Sequence, residues 1–177
     1  SSGWPTTTNA NPKDAGSTGS FPPMPTPADS VTQTSPGVWN GTKSMTPFEL
    51  TCMRVSKGQT ITITATGQGV WKNIPKGNPT AFEQCGPDGT SPNASAVMTP
   101  AEYWSNISSY RCPKAQKGAL IGRYGSGPWF PVGSNFKGEA KEDVEFVLGI
   151  NDLKPELGAE NWADDSGGFQ FSISLLF

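Results

Sequence analysis

The chain has no histidine. That absence removes the usual general base of neutral-pH catalysis, the commonest metal ligand, and every Ser-His or Cys-His nucleophile pair. Charge is sparse as well: 16 % of residues are Asp, Glu, Lys or Arg, with a formal net charge of -2. No Lys/Arg cluster offers the basic field that phosphate backbones require, so nucleic acid is excluded as a partner. No apolar run approaches the roughly 20 residues of a membrane-spanning helix. No leader segment is visible and the chain opens on Ser1, as a processed product would.

Glycine (21) and proline (17) are plentiful among 177 residues, and they separate short apolar runs. That pattern predicts an all-β domain. Residues 1–36 differ from the rest: they hold seven of the prolines, much Ser and Thr, and little that could build a core. They read as an extended arm or linker with Trp4, Phe21 and Met24 as anchors, and residues 37–177 as the domain. The arm could lie along its own domain or dock on a second copy, giving a homo-oligomer.

Within the domain, "VWNGT" (38–42), "FELTCMRV" (48–55) and "QTITITATG" (59–67) read as strands. In the last, Ile61, Ile63 and Ala65 alternate with Thr60, Thr62 and Thr64, which marks a half-buried strand. Residues 68–116 are loop-rich, except that "MTPAEYWSNI" predicts a short helix with Thr99 as N-cap and Pro100 at its first position. Strands resume at 118–125, 128–133 and 143–152. The final run, 168–177, sends Phe169, Phe171, Ile173, Leu175 and Phe177 to one face. Several short strands with Gly-rich connections predict a β-sandwich.

Three cysteines, Cys52, Cys85 and Cys112, lack metal-site spacing. In a Gly/Ser/Thr-rich chain of extracellular character, one disulfide and one spare thiol are expected, with Cys85–Cys112 closing the irregular region. Three sequons, at Asn40, Asn93 and Asn106, matter only in a eukaryotic source.

The chemistry concentrates near the end. The strand over 143–150 delivers Asp152, and Asp164 and Asp165 precede the last strand. Taken as antiparallel neighbours, the two strands bring all three carboxylates to one rim. Clustered carboxylates repel and raise each other's pKa. Two readings follow: a solvated acidic turn, or a cation site for calcium, which takes six to eight oxygen ligands. Asn151 and Asn161 could add oxygens, and Gly167 and Gly168 permit a tight turn.

The segment from "KGALIGRYG" through "PWFPVG" and "VLGIND" to "WADDSGGFQFSISL", preceded by "VWNGT" and "GQTITITATG", resembles the PA-IL-like calcium-dependent galactophilic lectins over residues 37–177. The resemblance implies a β-sandwich of jelly-roll type and a calcium ion held by Asp152, Asp164 and Asp165. Backbone carbonyls of Trp71 and Asn161 would complete the protein ligands, and vicinal sugar hydroxyls would fill the remaining positions. It implies a secreted, extracellular or cell-surface glycan binder, of galactose type in the family. Three features depart from the family. Both paired positions are Asp where galactose-binding members carry Asn. "LKPELGAENWA" lengthens the loop, placing Trp162 either as a stacking platform for a sugar or as a cover over the site. The sugar-reading loop contains no histidine. Trp71, Trp104 and Trp129 also fall in or beside loops, where they are core packing or sugar contacts.

Two other functions stand beside this one. A structural subunit of an extracellular assembly or filament would use calcium as a staple and the arm for docking. A glycosidase would need two carboxylates at a set separation, and nothing in the sequence marks one acid as a proton donor. A non-enzymatic binding domain is the expectation.

Overall fold

A computed structural model of the chain describes residues 25–71, 83–95, 97–157, 162 and 165–177. The anchors proposed in the arm, Trp4, Phe21 and Met24, lie outside the described residues. Two antiparallel sheets face each other, with one short helix beside them. The first sheet contains β1 (Ser30–Ser35), β2 (Val38–Ser44), β4 (Thr60–Trp71), β5 (Glu83–Cys85), β8 (Asn135–Glu139) and β10 (Ser166–Leu176). Its order is β1-β2-β10-β4-β5, and β8 pairs with the opening half of β4. The second sheet, in the order β3-β9-β6-β7, contains β3 (Leu50–Val55), β6 (Leu120–Tyr124), β7 (Phe130–Pro131) and β9 (Val144–Ile150). The all-β sandwich expected from composition is the fold.

Alternation along the strands decides which side chains meet between the sheets. From the first sheet, Ile61, Ile63, Ala65, Phe169, Phe171 and Ile173 point inward and are buried. From the second come Met53, Val55, Leu120, Phe146, Leu148 and Ile150. The threonines of β4 and Gln170, Ser172 and Ser174 of β10 take the other face, as the period of two requires. Phe177 breaks the pattern: it follows the last residue of β10 and is exposed.

β1 falls inside the stretch that composition assigns to the arm. It forms a hairpin with β2 around Gly37, whose φ of 76° is open to glycine without strain. Five of its six residues are exposed and only Val31 packs against the core, so the strand is held mainly by its ladder. This is why a hydrophobicity pattern does not detect it.

The helix α1 (Pro100–Asn106) has the start that its sequence predicts. Thr99 caps it, accepting from the Glu102 N–H, while the Glu102 carboxylate accepts from the Thr99 N–H. Pro100 occupies a position whose N–H has no helical partner.

The expected Cys85–Cys112 disulfide is absent, and all three thiols are free. Cys85 packs in the main core with its Sγ toward the Gly118 carbonyl. Cys112 belongs to a separate cluster with Ala115, Ala119 and Ile121, its Sγ toward the Trp129 carbonyl. Proximity of two loops in sequence did not bring these side chains into one cluster. Burial pushes the Cys52 and Cys85 thiols up to about 12, and raises Cys112 as well.

Two outcomes are expected. Phe146 is fully buried, its ring edge-on to Tyr124 at 5.5 Å. Phe146→Ala should lower stability by about 3–5 kcal/mol, read from the denaturant midpoint. Because the thiolate is the reactive form, the native protein near pH 8 should react slowly with a thiol reagent, whereas the urea-unfolded chain should titrate all three cysteines. A disulfide-bonded pair would leave one.

Candidate functional site

β9 ends in Asn151 and Asp152, and these neighbours do different work. Asn151 is fully buried. Its Oδ1 accepts from the Cys112 N–H at 2.8 Å, and its Nδ2 faces the carbonyls of Cys112, Ala115 and Gln116 at 2.9, 3.1 and 2.9 Å. The amide therefore clamps the 112–116 loop, and its oxygen is not offered to an ion. Asp152 is 2 % exposed. Its Oδ1 accepts from the Leu153 N–H at 2.7 Å, and its Oδ2 is shielded from solvent with no hydrogen-bond partner among the described residues.

Asp165 comes from the other sheet. It immediately precedes β10, and its carboxyl lies close enough to that of Asp152 to influence its ionisation. Both of its carboxylate oxygens are shielded from solvent. The sequence expectation had β9 and β10 as neighbours in one sheet. Instead β10 is flanked by β2 and β4, and β9 by β3 and β6. The two acids meet across the end of the sandwich, where the sheets approach. Asp164 and Asn161 lie outside the described residues.

Trp71, the last residue of β4, sits at the same end. Ser166 pairs with Val70, so Trp71 is level with Asp165. Its indole is fully buried and donates from Nε1 to Thr90 Oγ1 at 3.3 Å. Gly118 makes room for it: a Cβ there would stand 2.7 Å from the indole, and the φ of 83° suits only glycine.

Trp162 is not a solvent-facing platform. It is 4 % exposed, packs in the main core, and donates from Nε1 to the Leu153 carbonyl at 3.1 Å. The Arg111 guanidinium stacks on it at 5.1 Å. An indole with core contacts and a satisfied N–H is a packing residue. Among the described tryptophans Trp104 is exposed, and Trp129 is half-buried.

Three further groups shape the site, and pattern reading missed them. Tyr110 is 1 % exposed, and its hydroxyl has no hydrogen-bond partner among the described residues. Burial, followed by the charges of Asp152 and Asp165, raises its pKa. Lys117 is fully buried. Its ammonium lies 4.6 Å from the Tyr103 ring and 4.5 Å from that of Tyr110, with Met98 Sδ at 3.2 Å and Asn106 Oδ1 as partners. Burial lowers its pKa to about 8, opposed by Asp152. Arg111 is the third, its N–H donating to the Asp152 carbonyl at 3.1 Å. These residues fall in stretches read as loop or strand start, and no local spacing ties them to Asp152.

Burial is the largest influence on Asp152 and raises its pKa. The neighbouring Asp165 carboxyl and the Leu153 N–H, then Lys117 and Arg111, act in the opposite direction. Two desolvated carboxyls in contact hold a shared proton or require a cation. An orphaned carboxylate oxygen beside a second carboxylate is a donor set that suits a hard divalent ion. Asp152 and Asp165, level with Trp71, therefore fit calcium.

No protein-family model matches the chain, and no curated protein matches it in sequence. Among solved structures the fold is similar to "EclA N-terminal domain; PllA-like lectin". The two share 18 % sequence identity, with a TM-score of 0.51, over 80 % of this chain and all of that one. At this identity the likeness establishes the fold.

A carboxyl whose pKa is raised on folding keeps its proton in the native state after the unfolded chain has lost it, so its contribution falls as pH rises above the ordinary value of about 3.9. In chelator, wild-type stability should therefore drop relative to Asp152→Asn between that value and neutrality. Parallel curves for the two proteins would show that Asp152 does not carry this burden.

Proposed function

We propose that the chain is a calcium-dependent carbohydrate-binding domain and not an enzyme. The observation that carries the reading is the buried contact between Asp152 and Asp165, delivered by strands of opposite sheets to one end of the sandwich. The lectin-like structural neighbour supports it at the level of fold. The side chains of Asp152, Asp164 and Asp165 would hold the ion, with the backbone carbonyls of Trp71 and Asn161. A bound calcium ion supplies open positions for vicinal hydroxyl oxygens.

The protein's own contribution is positioning. Leu153 fixes one oxygen of Asp152 and leaves the other without a hydrogen-bond partner among the described residues. Asn151 anchors the 112–116 loop against the residue after β9. Trp162 is buried in the core and donates from Nε1 to the Leu153 carbonyl, which holds the residue after Asp152. Lys117 and Arg111 lower the repulsion between the carboxylates before an ion arrives. The aspartates at both 164 and 165 add negative charge, which favours the cation.

Hydrolysis fits this arrangement poorly. A retaining glycosidase needs its carboxyls about 5–5.5 Å apart, and an inverting one needs them farther. Asp152 and Asp165 are both shielded from solvent, with no exposed acid positioned beside them as a proton donor among the described residues. A secreted location accords with the metal, since extracellular calcium suits modest-affinity sites.

Saturating calcium, at about 100 times its Kd, should stabilise the domain by about 2.7 kcal/mol, read as a rise in Tm that EDTA reverses. Asp152→Asn and Asp165→Asn should each remove most of that rise. A glycan array probed in calcium should show binding that disappears in EDTA. A melting curve indifferent to calcium sinks the proposal.

A further inference from the structure

Trp129 projects from the outer face of the second sheet, over Gly149 of β9, where a Cβ would come within 2.7 Å of its ring. Two guanidiniums stack against it, Arg123 at 4.5 Å and Arg111 at 5.5 Å. Two surface grooves share these three residues, with volumes of about 520 and 330 Å³. The larger runs between the 112–114 loop and the 126–128 turn, and its lining adds Lys114 and Ser126 but no carboxylate. Beneath lies a small apolar floor of Cys112, Ala115, Ala119 and Ile121. Neither groove is lined by Asp152, Asp165 or Trp71.

We infer that the larger groove is a second ligand site, which takes an acidic saccharide through its carboxylate. Three positive charges border it, and their compensation is incomplete. Arg123 bonds Glu49 through Nη2 alone. Arg111 and Lys114 form no ion pair among the described residues. The Arg111 donors are turned inward, with Nη2 bonded to the Pro47 carbonyl and Nη1 shielded. Arg111 therefore supplies field, while Arg123 and Lys114 supply hydrogen bonds. A guanidinium stacked on an indole keeps its N–H groups in its own plane, the geometry a carboxylate meets edge-on. The groove lies within the roughly 300–1,000 Å³ of small-molecule sites. Its walls are prepared: Asn151 ties the loop backbone on one side, and the Gly127 N–H closes the turn on Tyr124 on the other.

The choice of a saccharide rests on the lectin-like reading, whereas the anionic group rests on the charges alone. The two are separable because this site needs no calcium. A short oligouronate and its carboxyl-reduced neutral counterpart are titrated in EDTA, with tryptophan fluorescence as the readout. The oligouronate should bind, more weakly at higher salt, and the neutral chain should not. Lys114 is exposed and its variants should fold, so Lys114→Glu is the primary test, with Arg123→Gln beside it. Each should weaken binding about tenfold or more, the effect of losing a charge-assisted hydrogen bond. Absence of oligouronate binding, or binding unchanged in Lys114→Glu, overturns the site. Equal binding of inorganic sulfate or an acidic peptide overturns the saccharide assignment. Failure of calcium to affect neutral-glycan binding would bear on the Asp152 rim alone.

Discussion

Two carboxyls cannot remain ionised in contact and away from water without a positive charge or a shared proton. The Asp152–Asp165 pair imposes that constraint on one end of the sandwich, and the surrounding structure is arranged around it. Asp152 follows β9 of one sheet, and Asp165 immediately precedes β10, a central strand of the other. A change in the separation of the sheets would move the acids apart. Core packing by Phe146, Phe169 and Phe171 therefore bears on the site as well as on stability, because it sets the spacing at which the pair meets.

Positive charge near the acids comes in graded forms. Lys117 is internal, held between two tyrosine rings, and reaches Asp152 through the field without a close ion pair. Arg111 is spread between Trp162 and Trp129, one ring in the core and one on the outer sheet face. That stack is a physical link between the acid pair and the basic groove. The same guanidinium that moderates repulsion at Asp152 supplies the field on the far side of β9. A fixed ammonium also limits how much positive charge the acids will accept from elsewhere, so Lys117 would temper the affinity of the rim for the proposed ion.

Much of the fold is legible in the chain. The Ile61-Ile63-Ala65 and Phe169-Phe171-Ile173 alternations mark the two central strands, and Thr99-Pro100 with Glu102 marks the helix start. Strands β1, β5 and β8 escape that reading because they are short or mostly exposed, and their ladder bonds leave no hydrophobic signature. Asp152 and Asp165 stand out as acids at strand ends, and they do converge. The route was different: the acids meet between sheets, since each strand already has two other neighbours.

The sequence by itself determined which side chains of the two central strands face the core, where the helix begins, and which acids stand near strand ends. These are consequences of a period of two and of local hydrogen bonding. Tertiary structure decided what each group meets. It buried Trp162, separated Cys85 from Cys112, enclosed Lys117 between Tyr103 and Tyr110, and set Arg123 and Arg111 on Trp129. The physical reason is that alternation fixes a face but not a partner. A buried charge takes its properties from segments far along the chain, and only sheet pairing brings those segments together.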